Sequence, residues 1–404
     1  MTKLRPASIP KTTLRAASIA LAFASLLGLF AMATQPAQAQ SLTVLYKFRG
    51  DSDIFPYAGL VRDSAGNLYG TTAGTACTSY SADYGAVFKV DPGGSQTVLH
   101  TFSFTDGACP YAPLIRDASG TLYGTTLQGG AFGYGTVFKL NPSGKETVLH
   151  SFAEGNLDGY YPSAGLLRDE AGDLYGTTQY GGPSQYGTVF RLDTNGTETI
   201  LHTFSGADGQ FPSSGLIMDA NGNLYGVTPR GGVYEGVLYK LSKNGKFSLL
   251  HAFGGNDGIF PSGTLVMDQK GNLYGTTEYG GAFGAGTVFK LDARRKETIL
   301  HSFSGKDGAD PIQTGVLMDR EGNLYGDTVS GGGGTGCGGY GCGTVYKLNK
   351  KGTLTVLHTF SGPDGEYPYG GLIRDPKGNI YSTSSQGGRG CQGMGCGTVW
   401  KLTP

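Results

Sequence analysis

The chain is one unit of about fifty residues written seven times, and a repeat of that length leaves few folds open. The string Gly215-Leu216-Ile217-Met218-Asp219-Ala220-Asn221-Gly222-Asn223-Leu224-Tyr225-Gly226 has a counterpart in every unit. Its Asp falls at Asp63, Asp117, Asp169, Asp219, Asp268, Asp319 and Asp375, at spacings of 54, 52, 50, 49, 51 and 56 residues. Each unit reads as four short strands. In the third unit these are residues 164–168, 173–178, 187–192 and 198–204. β-Branched and aromatic residues fill them, and turn formers such as Asp169-Glu170-Ala171-Gly172 separate them. No segment carries a helical period. Four antiparallel strands repeated radially make a propeller blade. An open solenoid would need atypical polar caps at its ends, and none is present. The ends instead complement each other. Residues 42–48 match a fourth strand only, and the last unit stops after its third strand, residues 397–402. The expected fold is all-β: a seven-bladed β-propeller over residues 40–404, closed by its N-terminal strand so that no sheet edge is left open.

The first 39 residues read differently. Lys3, Arg5, Lys11 and Arg15 precede an apolar run from Ala16 to Ala33, followed by small residues at Ala37 and Ala39. This is the three-part pattern of a secretory signal peptide, cleaved after Ala39. The rival is an N-terminal membrane anchor, for which the Ala-rich run is at the lower limit of length. Charge is balanced at 31 basic and 31 acidic residues, and removing the leader takes four basic ones, leaving a formal −4. No basic excess points to nucleic acid. Gly and Pro make up 89 of 404 residues, but 38 % hydrophobic content suffices for a core, which excludes disorder as the main reading.

The unit carries Gly-Asn-Leu-Tyr-Gly-Thr-Thr, a Gly-Gly doublet, Gly-Thr-Val-Phe-Lys-Leu and Thr-Val-Leu-His-Ser-Phe. It closely resembles the GloVer tandem repeat of exported bacterial proteins, over nearly all of the mature chain. The doublet is more distantly similar to kelch repeats, and the Asp-x-x-Gly-Asn-x-Tyr turn to NHL-type repeats. The resemblance implies a propeller and no particular activity. Relatives often carry a C-terminal sorting anchor, and this sequence ends without one, so a free exported monomer is expected, in the periplasm, at the cell surface or outside the cell.

Several residue sets could carry chemistry. His100, His150, His202, His251, His301 and His358 occupy one repeat position in the fourth strand, with Tyr46 as the seventh member. On separate blades they cannot converge on one ion, so a packing role is expected and no metal or cofactor. The seven turn Asp are turn formers before they are acids. A second motif, Gly206-Ala207-Asp208-Gly209-Gln210-Phe211-Pro212, recurs before the first strands with Asp106, Asp158, Asp257, Asp307 and Asp364 in the same role; the first unit departs, with Asp51 and Asp53 around Ser52. Its Asp reads as a turn and its aromatic as a wedge between blades. Arg62, Arg116, Arg168 and Arg374 precede their turn Asp, where other units have Met. They lie on adjacent blades of a closed ring, either as a cationic arc for an anion or paired with the neighbouring Asp. The loops between second and third strands are Gly-rich and hold Phe132, Tyr134, Tyr180, Tyr186, Tyr234, Tyr279, Phe283 and Tyr340. These rings either bind a sugar or peptide on the upper face, at the opposite end from the turn Asp, or pack the loops down.

Six cysteines in an exported chain imply disulfides. Cys337 with Cys342, and Cys391 with Cys396, share a spacing and a loop position in consecutive units, and Cys77 with Cys109 join neighbouring loops. The rival is a four-thiolate zinc site at the two C-terminal pairs. No nucleophile elbow, phosphate loop, zincin helix or dinucleotide fingerprint is present. The sequence therefore points to an exported, non-catalytic binding or surface-associated scaffold, with carbohydrate or cell-surface components as its partners and no transmembrane span in the mature chain. A secreted lyase or hydrolase acting on polysaccharide is the alternative.

Overall fold

The computed structural model describes residues 40–403 apart from 51–53, 77–81, 156–157, 233–234, 314, 334–336, 389 and 392–394. The expected leader lies outside these described residues, as do Cys77 and Tyr234. The described residues form seven four-stranded antiparallel sheets in a ring, a seven-bladed β-propeller. Blade 3 is Leu167–Arg168, Leu174–Thr178, Thr188–Leu192 and Glu198–Thr203. Blades 1 and 2 begin at Val61–Arg62 and Ile115–Arg116; blades 4, 5 and 6 begin at Ile217–Met218, Ile259–Met267 and Leu317–Met318. Blade 7 takes three strands from the C-terminal end, Ile373–Arg374, Ile380–Ser384 and Thr398–Thr403, and its fourth from Ser41–Lys47. That last pairing is antiparallel and runs from Ser41 opposite Thr403 to Lys47 opposite Thr398, which closes the ring as the repeat phase predicts.

First strands are shorter than the sequence suggests. Only Leu167–Arg168 of the expected 164–168 pairs, and six of the seven first strands have two residues. The reason is crowding at the axis. A Cβ at Gly59 would collide with the Gly370 carbonyl of the preceding blade. The chain there packs against its neighbours across the axis instead of extending the sheet.

One aromatic contact repeats at every blade interface. The Phe that ends each fourth strand stands edge-on or tilted to the third-strand aromatic of the next blade. The pairs are Phe48–Phe88, Phe102–Phe138, Phe152–Phe190, Phe204–Tyr239, Phe253–Phe289, Phe303–Tyr346 and Phe360–Trp400, with centroids 4.9–5.5 Å apart. All fourteen rings are buried. Edge-to-face pairs at this separation add to the stabilisation from burial.

Each fourth strand also carries a β-bulge, at the Leu before the His. In blade 3, Phe190 faces Ile200 while Val189 faces His202, so Leu201 is the extra residue. The same shift occurs in all seven blades. Directly opposed residues share a face, so the bulge puts Ile200 and His202 on opposite faces although they are two apart.

The wedge position is held at a backbone cost. Phe55, Cys109, Tyr161, Phe211, Phe260, Asp310 and Tyr367 all precede a proline and all have φ between 54° and 61°. That is unfavourable for a non-glycine residue. Each amide donates to a carbonyl of the preceding blade at 2.8–3.1 Å, so the strained residue links two blades.

Candidate functional site

Between the innermost strands lies an axial cavity of about 330 Å³ lined from all seven blades. Its wall is not seven-fold symmetric. The residue after the conserved-position proline is Tyr57, Tyr111 and Tyr369 on blades 1, 2 and 7, but Ser163, Ser213 and Ser262 on blades 3 to 5. Ring closure makes the three tyrosines neighbours. Tyr57 lies 5.1 Å from Tyr111 and 5.5 Å from Tyr369, centroid to centroid. Burial raises all three phenols, Tyr111 and Tyr369 to about 12, so at neutral pH they are uncharged donors.

Charge lies nearby. Glu278 is in the second strand of blade 5, Leu273–Tyr279, at the position that blades 1 to 3 fill with Ala73, Leu127 and Gln179. Burial raises its carboxyl, Asp310 adds to that, and Tyr279 and Arg230 oppose it. The hydrogen bond to Glu278 in turn pushes Tyr279 up to about 12. After burial and Tyr57, Glu278 and Asp310 also raise Tyr369, so the two acids lie near that end of the tyrosine arc. Ser330 Oγ donates to Asp310 Oδ2 at 2.6 Å, and Arg230 lies 5.6 Å over the Phe260 ring. Asp310 stands where five other units have an aromatic and the second has Cys109. The tyrosine arc lines the cavity, and two carboxyls and a guanidinium from three further blades act on one another close to it. The set is not obvious in the sequence because its members come from different repeat positions. The visible signal is the residue after the proline, whose three Tyr become contiguous only when the ring closes.

The predicted loop rings divide into two groups. Tyr134, Tyr180 and Tyr186 join Tyr160, Tyr161 and Phe211 in a continuous cluster with centroids 5.1–6.0 Å apart, so these pack the loops of blades 2 to 4 together. Phe132, Phe283 and Tyr340 project into solvent at 61 %, 67 % and 81 % exposure, and Tyr279 ends a strand with its ring 6.1 Å from Phe260.

The His and the second-motif Asp, read separately in the sequence, are partners. His Nε2 bonds to the Asp six residues on in His100–Asp106, His202–Asp208, His251–Asp257, His301–Asp307 and His358–Asp364, at 2.8–3.1 Å. The bulge brings this about by turning the His toward the next blade. Each ring also stands edge-on to the Phe two residues later, as in His202–Phe204 at 4.9 Å. At three interfaces a Glu opening the next blade's fourth strand joins the pair: Glu146, Glu198 and Glu297. Burial, then the nearby Asp, raises Glu146 and Glu297 to about 7 and pushes Glu198 up as well. At the blade 3–4 interface the place of Glu is taken by Phe247, which stacks on His202 at 4.2 Å.

The turn Asp act as expected. Asp219 accepts from the backbone of Asn221 and Asn223 through Oδ1, and from Asn223 Nδ2 at 2.7 Å and Tyr225 Oη at 3.0 Å through Oδ2. The four Arg form clamps between blades. Arg62, Arg116, Arg168 and Arg374 lie 5.3–5.9 Å over Tyr381, Tyr69, Tyr123 and Tyr325 of the preceding blade. The Asp they face is the preceding blade's, as when Arg116 helps hold Asp63 low. The guanidinium groups thus cover rings and do not form an open arc.

Cys337–Cys342 and Cys391–Cys396 are disulfides with Cα atoms 5.3 Å apart, so these four thiols are not a zinc cluster. Cys109 is also disulfide-bonded and fully buried. Among the described residues no helix is long and apolar enough to cross a membrane.

The closed ring and the strained inter-blade links define a propeller scaffold with a cavity on its axis. The chain belongs to the Gloeobacter/Verrucomicrobia repeat family, whose model matches residues 29–171 and 154–340. It is also similar in fold to extracellular domains assigned to two hybrid two-component systems of B. thetaiotaomicron. For BT3049 the identity is 14 % and the TM-score 0.55, over 90 % of this chain and 41 % of that one. For BT4673 the values are 12 % and 0.58, over 89 % and 39 %. The chain therefore spans about two fifths of the length of these domains. No curated protein matches it.

Proposed function

We propose that the protein is exported, with residues 1–39 removed, and serves as a non-catalytic scaffold that binds a carbohydrate at the axial mouth. The observation that carries this is the half-buried tyrosine arc on the cavity wall, Tyr57, Tyr111 and Tyr369, with Glu278, Tyr279 and Asp310 near Tyr369. Aromatic faces stack on the apolar side of a sugar ring, while neutral phenols and carboxyls bond its hydroxyls. The disulfides fit an oxidising compartment. Phe132, Phe283 and Tyr340 extend the reading to an outer contact surface for a longer glycan or a cell-surface component.

A glycan and cell-wall array probed with residues 40–404 tests it. Binding that Tyr57→Ala and Tyr369→Ala each weaken at least tenfold is the expected result. Binding indifferent to both variants, or none at all, overturns the reading. One observation favours the second reading, a polysaccharide-acting enzyme: Glu278 is a raised carboxyl beside a second acid, the pairing that general acid catalysis uses. Release of shortened product, abolished by Glu278→Gln, would replace the scaffold with that enzyme.

A further inference from the structure

The six histidines are not equivalent. Five bond directly to their Asp at 2.8–3.1 Å. His150 does not: its Nε2 stands 3.8 Å from Asp158 Oδ2 and 3.8 Å from Glu198 Oε2. The sequence reason is an eight-residue separation from His150 to Asp158, where the other five pairs have six. His150 Nε2 and Glu198 Oε1 are buried without a hydrogen-bond partner. A buried imidazole nitrogen and a buried carboxylate oxygen that both lack a partner are costly unless something else satisfies them.

We propose that His150 Nε2, Asp158 Oδ2 and Glu198 Oε2 form a site for a divalent transition-metal ion of the zinc class, joining blade 2 to blade 3. The three donor atoms lie within 4.8 Å of one another. Donors at these separations surround a point roughly 2.2–2.5 Å from each, close to the about 2.0–2.2 Å of zinc bonds to His nitrogen and carboxylate oxygen. One nitrogen and two anionic oxygens suit a borderline ion, and the charges balance. The supporting contacts are those of an oriented ligand set. The Asp158 carboxylate accepts from the amides of Ala153 at 2.9 Å and Gly159 at 2.7 Å, which fixes its position. The imidazole is held edge-on to the fully buried Phe152 at 4.7 Å. Glu198 Oε1 is free to make the attachment bidentate. The related cluster of His100, Asp106 and Glu146 lacks the opening, because His100 already donates to Asp106 at 3.1 Å.

The test uses residues 40–404, free of any affinity tag and stripped with a chelator, titrated with Zn²⁺ by calorimetry and melted with and without the ion. The expected result is one equivalent bound and a melting rise of about 5 °C at a hundredfold excess over Kd. Both are lost in His150→Gln and Glu198→Gln and kept in Glu146→Gln. Circular dichroism of the metal-free variants establishes that they fold. If Glu198→Gln does not, His150→Gln decides, read through the visible absorption of bound Co²⁺ as well as through Zn²⁺. No binding at micromolar Zn²⁺ overturns the assignment, and so does binding that survives His150→Gln or disappears in Glu146→Gln.

Discussion

Replacing Phe48 with Ala probes ring closure at its weakest point. The ring is fully buried, packed among Ile54, Leu60, Leu68, Cys396 and Val399, and edge-on to Phe88 of blade 1. Truncating a buried Phe to Ala costs about 3–5 kcal/mol from lost transfer energy and the cavity left behind. For a chain of this size each kcal/mol lowers the melting temperature by roughly 2 °C, so a fall of about 6–10 °C is expected. Phe204 is its equivalent between blades 3 and 4, equally buried against Tyr239. The two variants should differ in what else they loosen. Phe204 is continuous with strands on both sides, whereas Phe48 follows a terminal strand held to blade 7 chiefly through its pairing with Thr398–Thr403. Phe48→Ala should therefore speed amide hydrogen exchange over residues 398–403, and Phe204→Ala should leave that segment protected. Calorimetry and exchange measured by mass spectrometry read both effects. A Phe48→Ala protein that melts within about 2 °C of the parent, or keeps residues 398–403 protected, would refute closure by the N-terminal strand.

Glu297 holds its proton to about pH 7 in the fold, against an ordinary value of 4.5. The folded state thus binds more protons between those values, and stability falls as pH rises through the window, with the full deficit present above pH 7. A shift of this size corresponds to about 3 kcal/mol for a fully buried group, and partial exposure reduces it to about 1 kcal/mol. Glu297→Gln should accordingly stabilise the protein at pH 8 and make little difference at pH 4; equal effects at both pH values would contradict this. Replacing Cys391 and Cys396 with Ser opens a loop of sequence separation 5 and should cost about 2 kcal/mol, while disulfide mapping of the parent should recover the 337–342 and 391–396 peptides. Asp307 accepts from His301 Nε2, Ser304 N and Ser304 Oγ, each at 2.8 Å. Asp307→Ala should destabilise by about 2–3 kcal/mol in urea melts, and a loss below about 0.5 kcal/mol would show that the pair does little.

The repeat made the architecture legible. Period fixed the number of blades, the alternation of strand and turn fixed the strands, and the mismatch between residues 42–48 and 397–402 fixed how the ring closes. The turn Asp were legible for the same reason: a hydrogen bond from Asn223 or Tyr225 to Asp219 spans six residues or fewer, and local bonds leave local patterns. The paired cysteines at 337–342 and 391–396 could be read from shared spacing.

What the tertiary structure decided was everything that crosses from blade to blade or depends on a shift of register. The bulge at Leu201 reverses the side-chain alternation within one strand, so the His202–Asp208 bond and its stacking on Phe247 do not follow from strand periodicity. The arginines looked like partners for the Asp beside them, yet they reach the tyrosine and Asp of the preceding blade, about fifty residues away in sequence. Most of all, Tyr57, Tyr111 and Tyr369 are single letters in three different repeats. Only the convergence of the inner strands on one axis, and the pairing that brings residue 41 beside residue 403, sets the Tyr57 ring 5.1 Å from Tyr111 and 5.5 Å from Tyr369. A repeat determines the blade because blade contacts are short in sequence. The site lies where seven blades meet, and the distances there are set by closure of the ring.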